Sequence, residues 1–263
     1  HVSTQQTSPH CAANETRVDE YVRHFKKDCW ALPKQVRYVV TDAYYTKTLI
    51  TEAILEKGLH QIGKLRHDAN LRYLYQGPQK AKGRPRQYDG KFKLGETARL
   101  SFVAHQEGVD IYTAVVNCVH LKQAIRLVYV EKKLAQGTKR ALLFSTDTSL
   151  DALSLYRYYQ ARFQIEFLFR DAKQFTGLGD CQARSEQALY NHFNASFTAL
   201  NLLKWQDRQM SPQRTPISIA SWKRRCFNVL FMERIFSNSA FDLSFIKSTP
   251  AYHDLCNFGE IKY

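Results

Sequence analysis

The chain has 263 residues, 44% of them hydrophobic, which is ample for a core and allows one large domain or two. Its net charge of +14, from 38 Lys and Arg against 24 Asp and Glu, favours a polyanionic partner, with DNA, RNA and an acidic membrane surface all compatible. No apolar run reaches the ~18 residues of a membrane span and no secretory signal is visible. The six cysteines (Cys11, Cys29, Cys118, Cys181, Cys226, Cys256) are scattered without a C-x-x-C pair, which argues against a zinc module and for free thiols in a reducing cytoplasm.

In chain order, Asn14 to Lys27 reads as a helix, with Thr16 or Asn14 near its cap and Val18, Tyr21, Val22 and Phe25 on one face. The run Val36–Asp42 is rich in β-branched and aromatic residues and predicts a strand ending in Asp42. Two roles suit that aspartate: a cap for the helix predicted over 47–57, or a ligand at the carboxyl end of a strand, where open α/β sheets place their chemistry. Residues 59–65 predict the next strand. The stretch 67–95, rich in Gly, Lys, Arg and Tyr, predicts a solvated basic loop; its Gly83-Arg84-Pro85 is similar to minor-groove-binding hooks. Strands are predicted at 97–104, 111–119, 124–131 and 141–145, spaced for antiparallel pairing.

A helix is then predicted through 159–173, after a Ser/Thr/Asp cluster at 145–149 that suits a helix start. At about 100° per residue, Tyr159, Arg162, Glu166 and Lys173 fall in an arc roughly 60° wide, with Arg170 beside them. Phe163, Ile165, Phe167, Leu168, Phe169 and Phe175 surround the arc, so the helix is expected to be buried, with one carboxylate among cations. Such a stripe suits a metal ion and a phosphate; an Arg162–Glu166 pair on a solvated face is the plainer alternative. Beyond Gly177 and Gly179, a long helix is predicted from Ser185 to about Arg208. His192 lies on it, with a structural role favoured over metal binding. Trp222, Phe227, Leu230, Phe231 and Ile235 then carry helical spacing that reads as packing.

Tyr159-x2-Arg162-x3-Glu166-x6-Lys173 resembles the signature of bacterial insertion-sequence DDE transposases of the fourth insertion-sequence family. The flanks, Phe144-Ser145-Thr146-Asp147 before it and Gly177-Leu178 to Asn194-Ala195-Ser196 after it, resemble that family too. The resemblance implies an α/β fold: a ribonuclease-H-like core over 1–66 and 141–210, a β-rich insertion over 67–140, and a helical C-terminal extension over 211–263. It also implies that Asp42 and Glu166 are catalytic metal ligands for two Mg²⁺ ions, with Mn²⁺ possible, and that Tyr159, Arg162 and Lys173 contact DNA near the element's end. The implied activity is metal-dependent strand cleavage and strand transfer by a homodimer assembled on paired ends, in a bacterial cytoplasm at the nucleoid.

Such enzymes carry a first Asp on an earlier central strand, and none of Glu15, Asp19, Glu20 and Asp28 ends a hydrophobic strand. His1–Thr7 resembles the end of the third strand of that fold, so the expectation is a chain truncated at its N-terminus and lacking the first Asp. Two alternatives accompany the transposase reading: an inactive DNA-binding remnant, and a basic RNA-binding protein. A base-stacking role is left open among Tyr73, Tyr75, Tyr88 and Phe92.

Overall fold

The computed structural model describes residues 15–210, 218–237 and 243–259. These fall into two compact units, divided between Gln164 and Ile165. The expectations for His1–Thr7, Cys11 and a cap at Asn14 lie outside the described residues.

The N-terminal unit is mixed α/β. Helix α1 (Arg17–Asp28) opens with a capping box in which the Asp19 amide donates to the Thr16 hydroxyl and the Asp19 carboxylate accepts from the Thr16 amide. Strand β1 (Tyr38–Val40) follows, then a 3₁₀ turn (Ala43–Tyr45), helix α2 (Thr48–Glu56) and strand β2 (His60–Leu65), which pairs with β1 in parallel. Parallel neighbours need such a crossover, and the apolar face of α2 (Ile50, Ala53, Ile54) is buried by it. Strands β3 (Leu71–Leu74), β4 (Tyr88–Lys91), β5 (Ser101–Gln106), β6 (Val109–Cys118), β7 (Gln123–Leu134) and β8 (Gly137–Ser145) extend the sheet by antiparallel pairing. The order is β1-β2-β8-β7-β6-β3-β4, with β5 also on β6. Between β5 and β6 the turn is made by Glu107 and Gly108, both at positive φ, the two-residue hairpin geometry whose twist matches paired strands.

Alternation along the central strands fills two cores. Leu142 and Phe144 of β8 and Ile125, Leu127 and Tyr129 of β7 face one, which Leu71, Tyr73 and Phe92 close from the β3–β4 hairpin. Leu143, Val128 and Ile62 face the other, covered by Leu155 and Tyr156 of helix α3 (Ala152–Ala161). Burial on both faces explains why β7 and β8 read as continuous apolar runs.

The stretch 67–95 departs from the expected solvated loop. Leu71, Tyr73 and Phe92 are buried, and the hydrophobic gain from enclosing them holds β3 and β4 in the sheet despite the basic composition between them.

The C-terminal unit is helical: α4 (Gln164–Phe175), α5 (Glu186–Met210), α6 (Ile219–Phe236), α7 (Leu243–Lys247) and α8 (Pro250–Cys256). Its core joins Ala172, Leu178, Phe197, Leu200 and Ile219. Helix α4 ends at Gly177, whose φ of +69° an L side chain rarely adopts. His192 Nε2 donates to the Gly177 carbonyl at 2.9 Å, the structural role expected for it. The five cysteines among the described residues are free thiols. No helix among the described residues is long and apolar enough to cross a membrane.

Candidate functional site

Asp42 stands just beyond β1, at its carboxyl end. Thr41 continues the pairing by donating its amide to the Ile62 carbonyl at 2.8 Å, and Asp42 itself is extended. Tyr38 and Val40 face the core under α3, so alternation turns Asp42 toward the same side. Its Oδ1 accepts the Tyr44 amide at 2.8 Å, capping the 3₁₀ turn. Capping therefore uses one carboxylate oxygen; Oδ2 takes no hydrogen bond among the described residues.

Behind this turn lies a polar network that periodicity did not reveal. Gln61, fully buried on β2, accepts from the Thr51 hydroxyl at 2.6 Å and donates to the Thr41 hydroxyl at 2.9 Å and the Tyr45 carbonyl at 3.0 Å. A buried amide is stable only when so satisfied, and two of its partners, Thr41 and Tyr45, lie on either side of Asp42 in the chain. Tyr44 and Tyr45 pack edge to face at 5.4 Å, with Tyr21 of α1 5.4 Å from Tyr45, and the Lys47 ammonium lies over the Tyr44 ring. The run Ala43-Tyr44-Tyr45 and Tyr21 on the apolar face of α1 were the available signals for this cluster.

Tyr159, on α3, is half-buried and packs against the same core as Tyr38 and Val40. Burial raises its phenol above the usual range, Arg162 opposes that shift, and the negative charge of Asp42 adds to it. Arg162 lies beside Tyr159: its guanidinium is 5.9 Å from the Tyr159 ring centroid and 4.9 Å from that of Phe163.

The signature does not ride on one continuous helix. Helix α3 ends at Ala161, the Arg162 and Phe163 amides bond back to Tyr159 and Gln160 in i→i−3 turns, and α4 begins at Gln164. Tyr159 and Arg162 therefore belong to one segment, Glu166 and Lys173 to the next, and the single four-turn stripe is corrected. No Pro or Gly marks the break; the tightened turns make it. The expected burial is corrected as well. Phe163, Ile165 and Phe167 are each about half exposed (51%, 50% and 51%), Glu166 and Lys173 are exposed, and only Ala172 of α4 is buried. The expected helix start at 145–149 moves too: Asp151 caps α3 by accepting the Ser154 amide at 2.9 Å.

The cluster at 145–149 holds a structural acid instead. Asp147 is buried, accepts from the Tyr38 hydroxyl at 2.8 Å, and accepts the Ser149 hydroxyl and amide at 2.6 and 2.9 Å. Burial alone would raise its pKa; these donors, helped by the His60 ring, outweigh burial and bring it down to about 2.

Carboxylate oxygens, without thiolate or imidazole, are donors that suit a hard divalent cation such as Mg²⁺ or Mn²⁺. Among the described residues no group of three His, Cys, Asp or Glu side chains is arranged to hold a metal ion. Tyr73 and Phe92 are buried in the sheet core, with Arg99 over the Tyr73 ring, whereas Tyr75 and Tyr88 are half-buried, with Arg86 and Arg72 over their rings. No curated protein matches the chain. A family model described as a transposase DDE domain matches residues 5–202, and the chain belongs to that family.

Proposed function

We propose that this chain is the catalytic region of an insertion-sequence transposase of the fourth insertion-sequence family, with Asp42 and Glu166 as carboxylate ligands for divalent metal ions. The supporting observation is that β1 delivers Asp42 toward α3, where its charge bears on Tyr159 beside Arg162. That influence on Tyr159, with Arg162 over its ring, supports a role for these signature residues near the strand-end carboxylate.

In this reading the core is ribonuclease-H-like, residues 67–140 are a β-rich insertion and residues 211–263 a helical extension. Bound ions would activate the attacking water or 3′-hydroxyl and stabilise the leaving oxygen of the phosphodiester. The chain's own residues bind and orient the DNA. Arg162 and Lys173 pair with phosphate oxygens, Arg162 being braced by the Tyr159 and Phe163 rings. Tyr159, half-buried, offers a phenol hydroxyl to a backbone oxygen. The Gln61 network holds the Asp42 turn, so its carboxylate stays oriented without a ligand. A homodimer on paired ends completes the assembly.

The test uses the full-length protein and duplexes carrying the element's ends. Asp42→Asn and Glu166→Gln should each abolish Mg²⁺- or Mn²⁺-dependent strand cleavage while DNA binding stays within about twofold, since neither change removes a cation. Cleavage by Glu166→Gln at the wild-type rate would refute Glu166 as a metal ligand, and binding of the duplexes without any metal-dependent cleavage by the wild type would favour a basic nucleic-acid-binding protein.

A further inference from the structure

The β3–β4 hairpin is anchored in the sheet core at its base and differently built at its tip. Leu71 and Tyr73 anchor β3 in the sheet core, and the Tyr75 amide closes the hairpin by donating to the Gln87 carbonyl at 2.9 Å. Beyond that pair, Gln79 clamps Arg86 twice. Its side-chain amide donates to the Arg86 carbonyl at 2.8 Å, and its side-chain oxygen accepts the Arg86 amide at 2.8 Å. The Tyr75 hydroxyl adds a bond to the Pro78 carbonyl at 3.0 Å. What remains outside the clamp is the six-residue segment Lys80-Ala81-Lys82-Gly83-Arg84-Pro85.

Charge is sorted between base and tip. Arg86 and Arg99 both pair with Asp89 at 2.6 Å, and their guanidinium groups lie over the Tyr75 and Tyr73 rings at 4.6 and 4.0 Å. No acidic residue occurs between Asp68 and Asp89. Asp89 is thus occupied by the framing arginines. Lys80, Lys82 and Arg84 are exposed and make no ion pair among the described residues. Three exposed cations on six residues beyond the clamp are charge-matched to a polyanion.

Shape narrows the choice of polyanion. Arg84 sits between Gly83 and Pro85, neither of which carries a long side chain. Gly83 has φ +100°, and a Cβ there would meet nothing within 4 Å. A slender backbone with one central guanidinium fits a cleft about 6 Å wide, the width of the DNA minor groove and far narrower than the major groove. A·T tracts narrow that groove and deepen its negative potential, which draws arginine into it.

We propose that the tip Lys80–Pro85 is a DNA minor-groove contact selective for A·T-rich duplex, with Arg84 entering the groove and Lys80 and Lys82 on the flanking phosphates. This rests on the reading above only in taking DNA as the partner. It assigns a sequence-reading element remote in sequence from Asp42 and the signature.

The experiment measures equilibrium binding of the intact chain to labelled duplexes of equal length, one with a central A·T tract and one G·C throughout, across a salt series. Wild type should prefer the A·T duplex by about tenfold, within the range for a groove-reading contact. Arg84→Ala should erase that preference and leave G·C affinity nearly unchanged. Lys80→Ala with Lys82→Ala should weaken both duplexes and flatten the plot of log affinity against log salt by about two, one for each phosphate no longer neutralised. Gln79→Ala keeps every charge yet releases the clamp, and should lower A·T affinity alone. Equal binding of the two duplexes by wild type, an Arg84→Ala loss equal on both, or tighter binding of duplex RNA of matched sequence would overturn the proposal. DNA cleavage retained with tip variants that bind as wild type would sink the minor-groove contact and leave the transposase reading standing. A lost A·T preference in Arg84→Ala alongside duplex binding without any metal-dependent cleavage by the wild type would do the reverse.

Discussion

Asp147 should control the acid stability of the N-terminal sheet. Its carboxylate is held at about 2 against an ordinary value of 3.8. That gap of nearly two pH units is worth about 2 kcal/mol, in line with a buried carboxylate accepting several charge-assisted hydrogen bonds. Because the folded value is depressed, the stabilisation is fully present above about pH 4 and is lost as pH falls from there through about 2. Asp147→Asn removes it and sets an amide donor against the Tyr38 and Ser149 donors. The assay is hydrogen exchange of the β2 amides from Gln61 to Leu65, which reports opening of the sheet without reference to the C-terminal unit. At pH 6 the variant should open more readily than wild type by about 2 kcal/mol, and the difference should shrink steadily as pH falls below 4. Tyr38→Phe, which removes one of the donors, should show the same trend at about half the size. A difference that stays constant from pH 6 to pH 3, or no difference at pH 6, would mean that the Asp147 charge does not hold the sheet.

Two further outcomes follow from the same sheet. Gly63→Ala places a Cβ 2.8 Å from Phe144 Cε1 and 3.2 Å from the Thr41 hydroxyl, so it should destabilise the N-terminal unit by about 1–3 kcal/mol in chemical denaturation, and adding Phe144→Leu should recover part of the loss. Gln61→Leu strips partners from Thr41, Thr51 and the Tyr45 carbonyl; it should cost about 3 kcal/mol by the same measurement and raise exchange at Tyr44 and Tyr45 more than at β7.

Much of this architecture is legible in residue order. Strand β2, helix α2 and the long helix α5 follow apolar periodicity, and Thr16 with Asp19 announces the start of α1. Asp42 at a strand end is readable because β-branched residues run up to it. What is not legible depends on neighbours distant in sequence. Leu71, Tyr73 and Phe92 look like isolated apolar residues in a basic stretch until the sheet core encloses them. The interruption at Arg162–Phe163 leaves no compositional mark, because a pair of i→i−3 bonds needs neither Gly nor Pro. An all-round apolar pattern predicts burial for α4, yet its aromatics are about half exposed, since periodicity counts apolar faces and says nothing of what covers them. Gln61 and Asp147 are equally silent: only folding reveals a buried amide bracing one end of β1 and a buried carboxylate held by Tyr38 at the other.

If Asp42 and Glu166 grip the same divalent ions, a radical born at that metal should reach the backbone beside both. Replacing the ions with Fe²⁺ and adding ascorbate and peroxide generates hydroxyl radicals at the bound metal, which cut the nearest peptide bonds. Paired cuts are expected near residue 42 and near residue 166, suppressed by excess Mg²⁺ and both lost in either Asp42→Asn or Glu166→Gln. Cuts at one position only, or cuts near 42 that persist in Glu166→Gln, would show that the two carboxylates do not share a metal.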